Sequence, residues 1–287
     1  MKILILGAKG NLGTQLIKVF SADSNYDIIA WDREEIDITD KELVFKKIDD
    51  IKPDIIINAV AYNAVDNCET DEGFSLAKKL NATAVSYLVE ASVKVDALLI
   101  HYSTNYVFSG ERQEGYKEDN EPKPINKYGE SKLIGEKEII KKDGAGLKYY
   151  LIRTSKLFGP KGTSPISKPS FFEVILELSK KHKTLKLIDE EISNFTYTPD
   201  LALATKKLIE SEAKNGIYHI INTGRFTWYE AIVELVKIKN LKNKIVKIKS
   251  SGLDRAAKRP AYASLLNTKL PMLRPFVEAL KEYLKKK

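Results

Sequence analysis

Thr104, Tyr128 and Lys132 bring a hydroxyl, a phenol and an ammonium into one region of the chain. That set is enough to move a proton on and off a carbonyl or alcohol oxygen. Near the start, Gly7-Ala8-Lys9-Gly10-Asn11-Leu12-Gly13 follows the apolar run 3–6 and leads into Leu16, Ile17, Val19 and Phe20 at helical spacing. A glycine turn between a strand and a helix can hold a dinucleotide pyrophosphate. Gly7 permits the tight turn, Gly10 lets backbone approach the phosphates, and Gly13 allows close helix–strand contact. The N–H groups at the helix start then face the anion, helped by the helix dipole. The spacing is G-x-x-G-x-x-G rather than G-x-G-x-x-G, but the loop opens the first βαβ unit. Nicotinamide-dependent redox chemistry is the reading that uses both sets of residues.

Tyr128 and Lys132 lie four apart, hence on one face of a helix. A free phenol titrates at about 10, and a neighbouring ammonium lowers that value by favouring the phenolate. Lys132 is expected in that role and also as a partner of the nicotinamide ribose. Thr104 would hydrogen-bond the substrate oxygen while Tyr128 delivers the proton. Asp32 stands where a carboxylate accepts from an adenosine ribose 2′-OH, which favours NAD. Arg33 beside it can instead grip a 2′-phosphate, which favours NADP, so both cofactors remain open. Asp37 and Ile38 are candidates to flank the adenine. His101, His182 and His219 are far apart with no ligand spacing, so no metal site is expected.

The elements that must position these groups alternate strand and helix. Strands are expected at 3–6, 27–31, 55–57, 97–102 and 149–153, and helices at about 12–20, 41–48, 72–93 and 127–141. Thr39-Asp40 caps the second helix. This rhythm predicts an α/β fold, a doubly wound parallel Rossmann-type sheet. Residues 1–160 form its dinucleotide-binding domain. After Gly159-Pro160 the rhythm changes through a loop rich in Gly, Ser, Pro and Lys. Residues 161–287 are expected to form mainly a smaller, interleaved substrate lobe, with parts of 195–225 returning to the sheet. Its helices begin at 171, after 199 and near 275, and its strands lie near 185–188, 218–221 and 245–248.

Bulk properties exclude other classes. The net charge of +8 comes from lysines spread along helices beside acids, without interleaved aromatics, so no nucleic-acid partner is expected. The apolar N-terminus stops at Gly7, too short for a signal peptide or a membrane span, and a single cysteine, Cys68, precludes an internal disulfide. A cytoplasmic protein with no membrane partner is the expectation.

The chain resembles the extended short-chain dehydrogenase/reductases, and more narrowly the dTDP-4-dehydrorhamnose reductase family. The likeness runs through Ile57-Asn58-Ala59, Ala64-Val65-Asp66, Leu80-Asn81-Ala82 and His101 to Phe108. It continues through Tyr128-Gly129-Glu130-Ser131-Lys132, Arg153-Thr154-Ser155, Thr227-Trp228-Tyr229-Glu230 and Arg259-Pro260. The resemblance implies NAD(P)H-dependent reduction of dTDP-4-dehydro-L-rhamnose to dTDP-L-rhamnose. It puts Gly10, Asn11 and Leu12 on the pyrophosphate, Asp32 by the adenosine ribose, and Asp37 and Ile38 near the adenine. Ala59, Ala61, Tyr62 and Asn63 run along the cofactor, and Arg259 lies near the nucleotide-sugar. It also allows a homodimer. The chain departs from the family pattern on the substrate side. Asn105 replaces an aspartate, and Lys156 replaces a tryptophan and so removes an aromatic wall. The segment 189–196 is also divergent. Asn105 and Lys156 are therefore candidate substrate contacts. The alternatives are a reductase or epimerase of another nucleotide-sugar, or a non-catalytic NADP-binding regulatory subunit, against which the intact Thr104, Tyr128 and Lys132 count.

Overall fold

The structure, a computed structural model, describes residues 1–285. In chain order its first half comprises β1 (Lys2–Leu6), α1 (Gly13–Phe20), β2 (Asp27–Trp31), α2 (Lys41–Ile51), β3 (Ile55–Asn58), α3 (Asp71–Lys78), α4 (Ala84–Lys94), β4 (Leu98–Thr104), α5 (Lys127–Ile140) and β5 (Lys148–Thr154). The second half comprises β6 (Leu157–Phe158), α6 (Phe171–Lys181), β7 (Thr184–Ile188), β8 (Thr196–Tyr197), α7 (Thr198–Glu210), β9 (Gly216–His219), β10 (Asn222–Thr223), α8 (Trp228–Lys239), β11 (Lys244–Ile248), β12 (Leu273–Pro275) and α9 (Phe276–Lys285).

Six strands form one sheet in the order β2-β1-β3-β4-β5-β9, and every neighbouring pair is parallel. Alternation along β1 shows why it is buried on both faces. Ile3 and Ile5 join a core with Leu16, Phe20, Leu201 and Leu208 from α1 and α7, whereas Leu4 and Leu6 join Val44, Ile48, Val85 and Leu88 from α2 and α4. Strand order reverses between β1 and β3. In an open α/β sheet that switch point, at the carboxyl ends of the strands, is where a crevice for ligand forms. β9 comes from the second half of the chain, so the C-terminal part returns to complete the sheet edge. A separate lobe pairs β7 with β11 in parallel and buries a cluster of aromatics around Phe172, Phe195 and Phe276 between α6, α8 and α9.

Two elements differ from the sequence reading. The helix expected over 72–93 is broken by a π-turn at Lys79–Thr83 between α3 and α4. Asn81 explains it: its buried side chain bonds Tyr62 N and O at 2.8 and 3.0 Å and Ser131 Oγ at 2.9 Å. The strand expected at 218–221 pairs in the sheet only over Gly216–His219. Asn222 and Thr223 turn away to pair with β12. Among the described residues no helix is long and apolar enough to cross a membrane.

Candidate active site

The loop after β1 sits at the switch point. Gly7 has φ +77°, a conformation that side chains rarely adopt, and a Cβ on Gly13 would lie 2.1 Å from Gly7 O. Helix α1 can therefore start this close to the strand only with glycine at 13. Its first turn has no side-chain cap. Thr14 N bonds Gly10 O, but the amides of Asn11 and Leu12 find no acceptor among the described residues. Uncapped N–H groups at a helix start are the feature a phosphate satisfies, so these residues fit a dinucleotide pyrophosphate. The loop after β6 lies over this turn: Gly162 N donates to Asn11 Oδ1 at 2.8 Å and Ser164 N to Lys9 O at 3.0 Å. Gly13→Ala is expected to cost about 1–3 kcal/mol by overpacking and to weaken dinucleotide binding. Thermal melting and cofactor titration check this, and a variant that matches the parent in both would refute it.

Asp32, at the end of β2, is half-buried, and its carboxylate accepts from Lys9 N and Arg33 N, both at 2.9 Å. Those bonds hold it against the glycine loop, while Arg33 is exposed. Asp37 is also exposed and Ile38 is buried. Bonds from the Thr39 hydroxyl and amide hold the Asp37 carboxyl below the usual range. Ala59 follows β3, and Tyr62 in the next loop is clamped by Asn81.

Thr104 ends β4, and Tyr128 sits in the first turn of α5. The helix is started by Asn126, whose side chain accepts from Gly129 N at 2.8 Å. A Cβ on Gly129 would lie 2.1 Å from Tyr106 O, so glycine at this position lets α5 press against the end of β4. The Tyr128 phenol and the Thr104 hydroxyl are thereby brought close enough to act on one another. Lys132 is one turn further on, almost fully buried, with Nζ donating to Tyr102 O at 2.7 Å and lying 3.0 Å from His101 Nε2. The expectation that Lys132 lowers the Tyr128 pKa is reversed here. Burial pushes the phenol up to about 12, with only the Thr104 hydrogen bond pulling it down. The physical reason is that Lys132 spends its donors on groups behind the site, and burial lowers the lysine itself to about 8. A phenol raised in this way is protonated at neutral pH, the form a proton donor needs.

On the other side of Tyr128, its ring meets the Tyr106 ring edge-on, with centroids 6.0 Å apart. The Tyr106 phenol contacts the Arg259 guanidinium, which also forms a two-pronged pair with Asp66 at 2.9 and 2.7 Å. Arg255, Lys258 and Arg259 line a cleft of about 340 Å³ with Ile125 and Ser250. Lys156 Nζ lies 4.4 Å over the Trp228 ring and 4.9 Å over Phe195, and donates to Glu191 O at 3.1 Å. Burial lowers its amine to about 7.

Over residues 1–287 the chain matches the family model described as the RmlD substrate binding domain. It is 35% identical to dTDP-4-dehydrorhamnose reductase of Aggregatibacter actinomycetemcomitans, over 94% of this chain and 92% of that protein. The chain belongs to the dTDP-4-dehydrorhamnose reductase family. Two solved structures agree with it throughout. One is the family's protein from Clostridium acetobutylicum, with a TM-score of 0.91 and 34% identity over 100% of this chain and 99% of that one. The other is dTDP-4-dehydrorhamnose reductase from Bacillus anthracis in complex with NADP, with a TM-score of 0.91 and 32% identity over the same shares.

Two departures from the reductase family pattern read differently in three dimensions. Asn105 was a candidate substrate contact, but it is only 2% exposed and its amide is used internally. Nδ2 donates to Ser193 Oγ at 3.0 Å and Ala263 O at 2.8 Å, while Oδ1 accepts from Thr104 Oγ1 at 3.3 Å. A carboxylate could not donate to the Ala263 carbonyl, so the amide suits this pocket and acts on the site through Thr104. Lys156, rather than removing an aromatic wall, lies against one made by Trp228 and Phe195. Asn58, Asn81 and His101 are the residues that sequence reasoning missed. The family likeness passed through all three, but nothing in their spacing marked them as parts of the site.

Proposed function

We propose that this chain reduces the 4-keto group of a nucleotide-activated deoxysugar, converting dTDP-4-dehydro-L-rhamnose to dTDP-L-rhamnose with NADPH or NADH. The observation that carries this reading is the Thr104 hydroxyl set close to the Tyr128 phenol, with Lys132 buried one helical turn behind it. A bound nicotinamide supplies the hydride to the carbonyl carbon. Thr104 turns its one hydroxyl hydrogen from Asn105 Oδ1 to the carbonyl oxygen and polarises it, and Tyr128 gives that oxygen its proton. Lys132 restores the proton that Tyr128 loses. The uncapped amides of Asn11 and Leu12 hold the pyrophosphate, with Asp32 and Arg33 at the adenosine end and Ala59, Ala61, Tyr62 and Asn63 along the cofactor. The cleft lined by Arg255, Lys258 and Arg259 suits the anionic diphosphate of the sugar nucleotide, and Lys156 borders the sugar side.

The test is a hydride-transfer assay with purified protein, each reduced cofactor and a panel of 4-keto nucleotide-sugars. Loss of reduced-nicotinamide absorbance with the dTDP-linked 4-keto-6-deoxy sugar, and formation of the 4-hydroxy product, is the expected result. No oxidation with any sugar of the panel would overturn the proposal. Turnover of a differently substituted sugar alone would overturn the assigned substrate.

A further inference from the structure

His101 is fully buried in the middle of the sheet and plays no part in the reaction as set out above. Its two ring nitrogens nevertheless face two named groups. Nδ1 lies 3.1 Å from Asn58 Nδ2, and Nε2 lies 3.0 Å from Lys132 Nζ. The direction of hydrogen bonding along this row is set at its far end. Val60 N, a backbone N–H that can only donate, bonds Asn58 Oδ1 at 3.0 Å. Asn58 must therefore turn its NH2 toward His101, and Nδ1 must accept. A neutral imidazole with an accepting Nδ1 carries its hydrogen on Nε2. That hydrogen points at Lys132, whose free amine can accept it with a lone pair while its ammonium cannot.

We propose that this one-way chain, from Val60 N–H through Asn58 and His101 to Lys132, makes His101 a positioning residue that favours the free amine of Lys132 over its ammonium. The ammonium would set N–H against N–H at Nε2. The other tautomer would relieve that clash only by setting Nδ1–H against the Asn58 NH2. Burial holds the imidazole well below its ordinary value, so a second ring proton gives no escape. The charged groups around Lys132 are few. Glu136, one turn further along α5, favours the ammonium but is itself tied to Arg153 of β5. Tyr128 is protonated, and the hydrogen-bond partners that β4 gives the lysine among the described residues are His101 and the Tyr102 carbonyl. In the reaction proposed above, on which this role rests, an N–H bond of Lys132 breaks as an O–H bond re-forms on Tyr128. His101 keeps its own proton throughout and stabilises the amine that results. The lysine's value of about 8 accords with this role.

Ring-15N NMR of histidine-labelled protein tests the chain directly and needs no substrate, so a failed reductase assay leaves it decidable. The protein has three histidines, and loss of one signal in His101→Gln assigns the relevant ring. The native protein is expected to show His101 protonated on Nε2 and bare on Nδ1. In Asn58→Asp the carboxylate accepts where the amide donated, so the ring should switch to the Nδ1–H tautomer. The alkaline fall of the reduction rate, where Lys132 loses its proton, should then move up by about one pH unit or more. His101→Gln should move it the same way, because a side-chain carbonyl can accept from the ammonium, with KM little changed. A native His101 protonated on Nδ1 would overturn the proposal. So would a folded Asn58→Asp that keeps the parent's tautomer, or two folded variants whose alkaline limb stays in place.

Discussion

Tyr128→Phe is expected to lower turnover by about 10²- to 10⁴-fold, the usual worth of a positioned general acid, while dinucleotide affinity stays near that of the parent. The substitution keeps the ring that packs edge-on against Tyr106 and removes only the oxygen that Thr104 contacts. Neither the glycine loop nor Asp32 touches this group, so cofactor titration should be nearly unchanged. The raised phenol sharpens the expectation. Because burial holds Tyr128 protonated at neutral pH, its contribution is that of a donor ready before the carbonyl arrives. Thr104 would still polarise the carbonyl in the variant, which is why residual activity is expected. Unchanged turnover, measured with saturating cofactor and sugar nucleotide, would remove Tyr128 from the mechanism.

Glu136→Gln is expected to cost about 3–5 kcal/mol of stability, the range for stripping one partner from a buried ion pair. Arg153 and Glu136 are 1% and 0% exposed. Arg153 Nε and NH2 reach the carboxylate at 3.0 and 2.6 Å, NH1 donates to Glu118 O, and the guanidinium lies 5.0 Å over the Phe108 ring. Glutamine nearly preserves shape but leaves the guanidinium in the core without its counter-charge. A surface pair would give a far smaller effect, because water screens exposed charges. The urea midpoint should fall accordingly, and Glu136→Leu combined with Arg153→Met should recover most of the loss. A midpoint within experimental error of the parent would show that water reaches this pair. Since Glu136 also favours the Lys132 ammonium, the single variant should lose activity at lower pH than the parent.

The parts of the molecule that local pattern controls were legible from the residues. The glycine spacing after an apolar run marked β1, its turn and α1, because a phosphate-binding turn makes its demands within seven consecutive positions. Tyr128 and Lys132 showed themselves as a helical pair because a four-residue step is one turn. The apolar runs 3–6, 55–57 and 98–100 marked a sheet buried on both faces, since no polar residue interrupts them. The π-turn at Lys79–Thr83 escaped this reading because its cause, the grip of Asn81 on Tyr62 and Ser131, joins three separated segments.

The deepest features of the site belong to that second kind. Asn105 looked like a substrate contact beside Thr104, yet Ser193 and Ala263, from far along the chain, turn it inward. Lys132 looked like the group that lowers the Tyr128 pKa, yet burial raises the phenol and the lysine's donors point elsewhere. The residues assigned to the proposed reaction and the order of strands and helices are thus written in short-range sequence, because periodicity and turn chemistry act between near neighbours. Which protons those residues hold was decided only by the packed structure, because desolvation and hydrogen-bond direction depend on every segment that closes around them.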